Sequence, residues 1–300
     1  MPWLIVGTVP DPEFLAVAGP CAWDGEALAV AGRRLRPARG TPALLAAACL
    51  ASAALDREPP QAVLAGDTGL GQGSRDAYSL LLGLLDSPCA WPGITFHYLQ
   101  PDVDWHNRIL ARIDELDPRP LLVADAGYMY VAKMSGYAAA YDLFTPDLGE
   151  LAFLADELAP HPFYTRGFLQ HDNGGAPDLI ARAWAGENAA RCLLVKGEVD
   201  LVAAQGVVVD RIAEPVVEAM EPIGGTGDLL TGLATALLDA GLPAPEACGV
   251  AARANRLAGL LAQPTPAFSV ADLLPFLPAA LEQALAGRPS QGKPPSGEGH

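Results

Sequence analysis

Gly224-Gly225-Thr226-Gly227-Asp228, followed at once by Leu229-Leu230-Thr231-Gly232-Leu233, is the stretch whose reading decides the fold. Apolar residues stand at 229, 230, 233, 236, 237 and 240, with Thr, Thr and Asp at 231, 235 and 239. That spacing predicts an amphipathic helix over 228–241 with glycines at its entry. The N–H groups of such an entry point outward with the positive end of the helix dipole, and glycine lets the backbone approach an anion closely. A carboxylate in that nest repels phosphate, so Asp228 is out of place in a simple phosphate holder. It has a use if it takes a proton from a hydroxyl while Gly225, Thr226 and Gly227 hold the charge of a phosphoryl group in transfer. A Gly-rich turn with an acidic residue that merely stabilises the helix start has the same local sequence. The rest of the chain has to separate the two.

Outward from this stretch, short β-rich apolar runs alternate with longer helical ones. Strands are expected at 3–7, 61–66, 94–99, 120–125, 141–145 and 191–196, and helices near 42–56, 74–86, 104–116, 128–139, 147–157 and 176–186. This alternation implies parallel strands joined by crossovers, hence an α/β fold with an open, mostly parallel sheet covered by helices on both faces. Residues 13–36 hold two short candidate strands that suit a small hairpin flap. Residues 198–218 read as consecutive antiparallel strands turning at Gln205-Gly206, and helices follow at 228–241, 244–263 and 269–286. The tail from Gly287 is polar and rich in Pro and Gly, which predicts disorder. With no linker or repeat inside 1–286, one domain is the expected count.

The totals narrow the class. Of 300 residues, 51% are hydrophobic, ample for a sizeable core. Nineteen basic against 35 acidic side chains leave a net charge of −16, which argues against nucleic acid or an anionic membrane as the partner. A phosphorylated small ligand needs only a local nest and stays open. The five cysteines are scattered, and Cys49, Cys192 and Cys248 sit in apolar runs, as core thiols of a reducing compartment do. The first residues, MPWLIVG, lack the basic start of a signal peptide, and no apolar run reaches a membrane span, so a soluble cytoplasmic chain is expected. The composition leaves a homo-oligomer open.

Four further loops fall at the C-terminal ends of expected strands, where open α/β sheets gather ligands. Gly66-Asp67-Thr68-Gly69-Leu70-Gly71-Gln72-Gly73 suits a backbone passing close to a ligand, or a tight βα turn. Asp125-Ala126-Gly127 offers a carboxylate that can orient a substrate or hold hydrated Mg²⁺, or simply caps helix 128–139. Thr145-Pro146-Asp147-Leu148-Gly149-Glu150 carries helix-start chemistry, with Pro146 at the first position and acids in the first turn. Lys196-Gly197 closes a strand with one of only three lysines, against sixteen arginines; it can contact phosphate or ribose, or face solvent. Asp102 or Asp104 is expected to cap helix 104–116, and His171 to Gly175 to form a turn. Five dispersed histidines hold no transition metal, and no P-loop, GxSxG or early GxGxxG is present.

Taken in order, GDTGLG, the strand ending in Asp125-Ala126, FTPDLGELAFL, LLVKG and GGTGDLLTG resemble the ribokinase-like superfamily. Within it the chain is most similar to the ADP/ATP-dependent NAD(P)H-hydrate dehydratases, which repair hydrated nicotinamide cofactors. The resemblance runs from about residue 40 to 265 and includes the Ala-rich GTPALLAAACLASAAL. It implies that Asp228 deprotonates the hydrate hydroxyl for attack on the terminal phosphate of ADP or ATP, with Mg²⁺, while Gly225, Thr226 and Gly227 form the anion hole. It further implies that Lys196, Gly197, Asp200 and Gly227 meet the nucleotide, and that Gly69, Gly71, Asp125, Asp147 and Asp228 meet the substrate. The chain departs from the family pattern at several points. Asp147 stands for a His, Asp67-Thr68 for Gly-Pro, and Asp200 for a Thr. Glu221-Pro222-Ile223 is more similar to a small-molecule kinase, and the 13–36 flap to the lid of sugar kinases. A kinase acting on the hydroxyl of a sugar or vitamin precursor is therefore the second expectation. A silent nucleotide sensor is a third, disfavoured because a sensor has no need of Asp228.

Overall fold

Strand β1 (Leu4–Val9) is buried along its whole length, between β5 (Gln61–Gly66) and β6 (Gly93–His97) and parallel to both. A strand covered on both faces is apolar along most of its length, and its side chains divide by parity. Trp3, Ile5 and Val9 enter one core, while Leu4 and Val6 enter the other. The first core lies under α1 (Thr41–Ala54), α7 (Thr226–Asp239), α8 (Ala244–Ala262) and α9 (Leu277–Ala286). The second lies under α2 (Gln72–Leu85), α3 (Val103–Asp114), α4 (Gly127–Met134), α5 (Leu148–Ala155) and α6 (Gly175–Ala185). These elements come from a computed structural model that describes residues 1–87, 90–159, 175–265 and 267–287. The expected disordered tail and the turn at 171–175 lie outside the described residues, apart from Gly287 and Gly175.

The remaining strands are β2 (Val17–Trp23), β3 (Leu28–Val30), β4 (Arg33–Leu35), β7 (Leu121–Ala124), β8 (Leu143–Phe144), β9 (Cys192–Val195), β10 (Asp200–Ala204) and β11 (Val207–Ile212). Among the described residues they form one sheet in the order β11-β10-β9-β8-β7-β6-β1-β5-β2-β3-β4. The run from β5 to β9 is parallel, and antiparallel strands extend both ends. The expected hairpin over 13–36 is instead a three-stranded extension. Val17–Pro20 pairs with β5, Cys21–Trp23 pairs with β3, and β3 pairs with β4. Backbone pairing to a distant strand leaves no local trace, which is why the segment read as a separate flap. The turn at Gln205-Gly206 is as expected, with both residues at positive φ (51° and 79°).

Two helices are shorter than their periodicity suggests. Helix α4 stops at Met134 because Gly136 takes a left-handed conformation (φ 74°), and a short 3-10 turn follows over Ala138–Ala140. The expected helix 269–286 begins as two 3-10 turns, Val270–Asp272 and Leu274–Phe276, before α9. Ser269 and Asp272 form a capping box, and Pro275 at the next start cannot donate to a preceding turn.

Helix α7 departs most from its amphipathic reading. Thr231, Thr235 and Asp239, the residues of its supposed solvent face, are all buried. Thr235 shares a hydrogen bond of 3.0 Å with Thr95, which also accepts from the Trp3 indole at 2.9 Å. Thr231 and Thr235 face the sheet, not water, and Asp239 pairs with Arg57 at 3.6 Å. α1 packs against α7, and a Cβ at Gly232 would run into the Leu44 carbonyl. The missing side chain lets two Ala-rich surfaces meet closely enough to bring the start of α1 over the start of α7. No helix among the described residues is long and apolar enough to cross a membrane. Cys21, Cys49, Cys192 and Cys248 are buried free thiols.

Candidate active site

At the C-terminal ends of β6, β7, β8 and β9 the chain leaves a cavity of about 230 Å³. Its lining includes Asp125, Asp147, Lys196, Gly225, Gly227 and Asp228 from the expected set, with His97, Tyr98 and Glu150 beside them. The register explains the convergence. Beyond β8 and β9 the parallel pairing continues as an isolated bridge between Asp147 and Lys196, and Lys196 N–H donates to the Pro146 carbonyl at 2.8 Å.

Asp125 is fully buried at the end of β7 and is not a helix cap; that position is held by Ala126. Its Oδ1 accepts from Lys196 Nζ and from Ala126 N–H, both at 2.8 Å, and its Oδ2 accepts from the Thr231 hydroxyl at 2.7 Å. Burial works to raise its pKa, but Lys196 and His97 outweigh that and hold the carboxylate below its usual range. Burial likewise opposes the charge of Lys196, and Asp125 and then Glu150 overcome it, so the ammonium pKa is raised. Lys196 is therefore no solvent-facing loop lysine, since its side chain is only 18% exposed.

Asp228 lies in the first turn of α7, and Gly225, the cap residue (φ 102°), offers no side chain to the free N–H groups there. The open N-terminus thus faces the cavity with its positive end. The Asp228 carboxylate turns sideways, accepting from Gly40 N–H at 2.5 Å and meeting His97 Nε2 at 3.1 Å. Gly227 gives the lysine its room, because a Cβ there would sit 3.2 Å from Lys196 Cδ.

Across the cavity, Asp147 caps α5 and closes a full capping box with Glu150. Asp147 Oδ1 accepts from Glu150 N–H, and Glu150 Oε2 accepts from Asp147 N–H, each at 2.8 Å. The expected first helical residue, Pro146, is two residues early, since the helix begins at Leu148 after its cap Asp147, and the box is Asp-x-x-Glu. Burial pushes the Glu150 carboxyl up to about 7; Lys196 opposes this, while Asp125 and Asp147 add to it. Tyr98 stands at the mouth in a left-handed backbone (φ 52°), with its carbonyl fixed by the Thr8 hydroxyl at 2.6 Å. Burial, then Asp228 and Asp125, push its phenol up to about 12, so it stays protonated at neutral pH.

Five residues of the expected set do not line the cavity. Thr226, the first residue of α7, is half-buried. Gly197 N–H is engaged by Asp200 Oδ1 at 3.1 Å, and Asp200 Oδ2 accepts from Arg256 at 2.8 Å, so that carboxylate holds its own loop. Gly69 and Gly71 belong to a loop whose nest is filled from within. Asp67 accepts from the N–H groups of Gly69, Leu70, Gly71 and Ser74 and from the Ser74 hydroxyl, all within 3.0 Å. Asp102, as one of two expected candidates, caps α3 by accepting from Trp105 N–H at 3.3 Å.

Sequence reading gave no role to His97 or Tyr98, and gave Glu150 only helix-start chemistry. For His97 the trace was a histidine at the C-terminal end of a strand otherwise apolar but for Thr95, where ligands gather in this class of sheet. No three or more His, Cys, Asp or Glu side chains are placed to hold a metal ion together among the described residues.

Sheet order, flanking helices and this position of the site define a ribokinase-like fold. The structure aligns with phosphofructokinase-2 of Escherichia coli at a TM-score of 0.54 and 14% identity, covering 94% of this chain and 99% of that one. It aligns with pyridoxal kinase of Entamoeba histolytica at 0.53 and 13%, covering 92% and 95%. Identities this low establish the fold alone. The chain belongs to the NAD(P)H-hydrate dehydratase family, whose model matches residues 102–275. It is 36% identical over 231 residues to an uncharacterized protein of Methanocaldococcus jannaschii, across 77% of this chain and 94% of that protein. It is also 34% identical over 120 residues to the bifunctional NAD(P)H-hydrate repair enzyme Nnr of Hyperthermus butylicus, across 38% of this chain and 22% of that enzyme. The family match begins at Asp102 and so leaves the Gly66–Gly73 loop and α1 outside it, a narrower span than the expected 40–265.

Proposed function

We propose that this chain is an ADP- or ATP-dependent NAD(P)H-hydrate dehydratase with Asp228 as its general base. The observation that carries the reading is the placing of Asp228 beside an uncapped helix N-terminus, with Lys196 against Gly227 on the same cavity. Asp228 takes the proton of the hydrate hydroxyl as that oxygen bonds to the terminal phosphorus and the bond from phosphorus to the leaving nucleotide breaks. The N–H groups at the start of α7 and the Lys196 ammonium balance the charge gathering on the phosphoryl oxygens. Scission of the carbon–oxygen bond then releases phosphate, and loss of a ring proton restores the reduced nicotinamide.

Hydrated Mg²⁺ asks for one or two carboxylates besides nucleotide oxygens, and the donor set fits it. Glu150, raised to about 7 by burial with Asp125 and Asp147 adding to it, is a carboxyl whose ionised form Lys196 compensates only in part. Glu150 would hold the ion, which when bound would neutralise phosphate charge, and Asp147 is left to the substrate. Asp125 is committed to Lys196 and Thr231.

A kinase reading has one specific support. Asp125, Asp147, Glu150 and Asp228 line the same small cavity, and ionised carboxylates accept from adjacent hydroxyls as a polyol presents them. The experiment is incubation with hydrated NADH and ADP or ATP, followed by the return of NADH absorbance. Recovery strictly dependent on nucleotide is the expected result. Stoichiometric phosphorylation of a sugar or vitamin precursor, without action on the hydrate, would hand the site to a kinase.

A further inference from the structure

His97 has no place in the reaction as written, yet it is wholly buried at the centre of the site. Its Nε2 lies 3.1 Å from Asp228 Oδ1 and 3.6 Å from Asp125 Oδ2, and its Nδ1 lies 3.0 Å from the Thr41 hydroxyl. Two carboxylate oxygens on one ring nitrogen need a proton there, because a bare nitrogen would add a third lone pair to the contact. A hydroxyl, in contrast, can serve either state of Nδ1. The ring therefore donates from Nε2 to Asp228 while Thr41 fixes its plane.

The same two residues that open α1 hold both oxygens of Asp228. Gly40 N–H donates to Oδ2 directly, and Thr41 reaches Oδ1 through His97. Gly40 adopts φ 68° and ψ −153°, a backbone open to glycine and little else, and this conformation aims its N–H at the carboxylate. Gly7, on the neighbouring strand β1, leaves room for the pair. A Cβ there would stand 2.6 Å from both Thr41 Oγ1 and Cγ2, and 2.7 Å from the His97 carbonyl. No packing requirement accounts for a histidine at the end of a strand whose other side chains are apolar or threonine. An apolar residue would fill the space without a buried polar ring to satisfy.

We infer that His97 is the positioning residue for Asp228. It locks the carboxylate plane so that one lone pair faces the substrate hydroxyl, and it stands between that carboxylate and Asp125, whose Oδ2 lies 3.6 Å from Nε2 as a charge contact and whose Oδ1 accepts from Lys196. This rests on Asp228 being the base. A donor lost from Oδ1 leaves the carboxylate hinged on Gly40 alone, and a misplaced reacting group lowers turnover without weakening either ligand.

The test compares His97→Leu with His97→Gln, whose amide nitrogen can still reach Asp228, and adds nitrogen-15 NMR of the ring in the unaltered protein. In His97→Leu, kcat should fall at least ~30-fold while both KM values stay within ~3-fold, and His97→Gln should regain a third or more of the lost activity. The ring should carry its proton on Nε2, and that signal should move in Asp228→Asn. Equal loss in both variants, or wild-type kcat in His97→Leu, would overturn the assignment. The NMR arm is independent of turnover. If the protein fails to act on the hydrate, the proposed reaction falls, and an unprotonated Nε2, or a signal indifferent to Asp228→Asn, would remove His97 from its role as well.

Discussion

Asp228→Asn exchanges one oxygen for an NH₂ at constant shape, so its consequences follow from two contacts. The 2.5 Å bond from Gly40 N–H needs an acceptor, so the amide oxygen goes there. The NH₂ is then left facing His97 Nε2, which in the parent protein sits 3.1 Å from an oxygen. Two donors now oppose each other. If His97 keeps its proton, a buried donor is unsatisfied at a cost of about 1–3 kcal/mol. If the proton moves to Nδ1, Thr41 can turn its hydroxyl to accept, and most of that cost is recovered. Melting should therefore fall by no more than about 6 °C, taking about 2 °C per kcal/mol for a chain of this size. Turnover of the hydrate should fall at least ~10²-fold, about 2.7 kcal/mol of transition-state stabilisation, as the general base is gone. ADP contacts the helix start and Lys196, which the substitution leaves in place, so its dissociation constant by calorimetry should stay within ~3-fold. NADH absorbance recovery with saturating ADP reads the first effect. Wild-type turnover would refute the reasoning and leave Asp228 as a carboxylate that only braces α1 against α7.

ADP at ~100 times its dissociation constant should stabilise the fold by about 2.7 kcal/mol, a thermal shift near 5 °C; no shift with ADP or ATP, with and without Mg²⁺, would count against a nucleotide site. Glu150→Gln should remove a pH dependence of stability. Because burial lifts this acid from 4.5 to about 7, the folded state binds more protons between those values. Parent stability should thus fall as pH rises through that window, by up to about 3 kcal/mol, and denaturation of the variant should lack that decline. Asp147→Ala breaks the cap of α5 at a cost of about 1 kcal/mol and should raise KM for the small-molecule substrate while sparing that for the nucleotide; an unchanged substrate KM would confine Asp147 to capping. Gly232→Ala drives a methyl into the Leu44 carbonyl, costing about 1–3 kcal/mol by chemical denaturation. It should also lower kcat, since α1 carries Gly40 away from Asp228; a loss of stability with kcat intact would uncouple the two.

What could be read from the chain was whatever local period and composition encode. The alternation of nearly all-apolar runs with helical ones marked β1, β5, β9 and their crossovers, because a strand buried on both faces is apolar at most positions. The motif at 224–228 could be read because glycines before a helix have a physical meaning wherever they occur. Partners that are distant in sequence left no such mark. β2 reads as half of a flap until its pairing with β5 is seen, and Thr231 reads as a solvent-face residue until its bond to Asp125 is seen. The Gly66–Gly73 loop is the sharper case, since its glycines promise a ligand nest and its own Asp67 fills it.

The lone acid at 228 reads differently once its neighbours are known. Taken alone, an aspartate at a helix start has a common use as a dipole complement, and its sequence cannot exclude that. Such a carboxylate lies over its own helix and takes its N–H groups. Asp228 does not; its bonds are to Gly40, 188 residues away in sequence, and to His97, 131 residues away. The free N–H groups of α7 are left to the cavity, and the acid is held beside them by elements from two other parts of the fold. An arrangement that keeps a carboxylate off the donors nearest to it reserves those donors for another anion, and a phosphoryl group in transfer from a nucleotide to a hydroxyl beside Asp228 is the anion that the proposed chemistry requires.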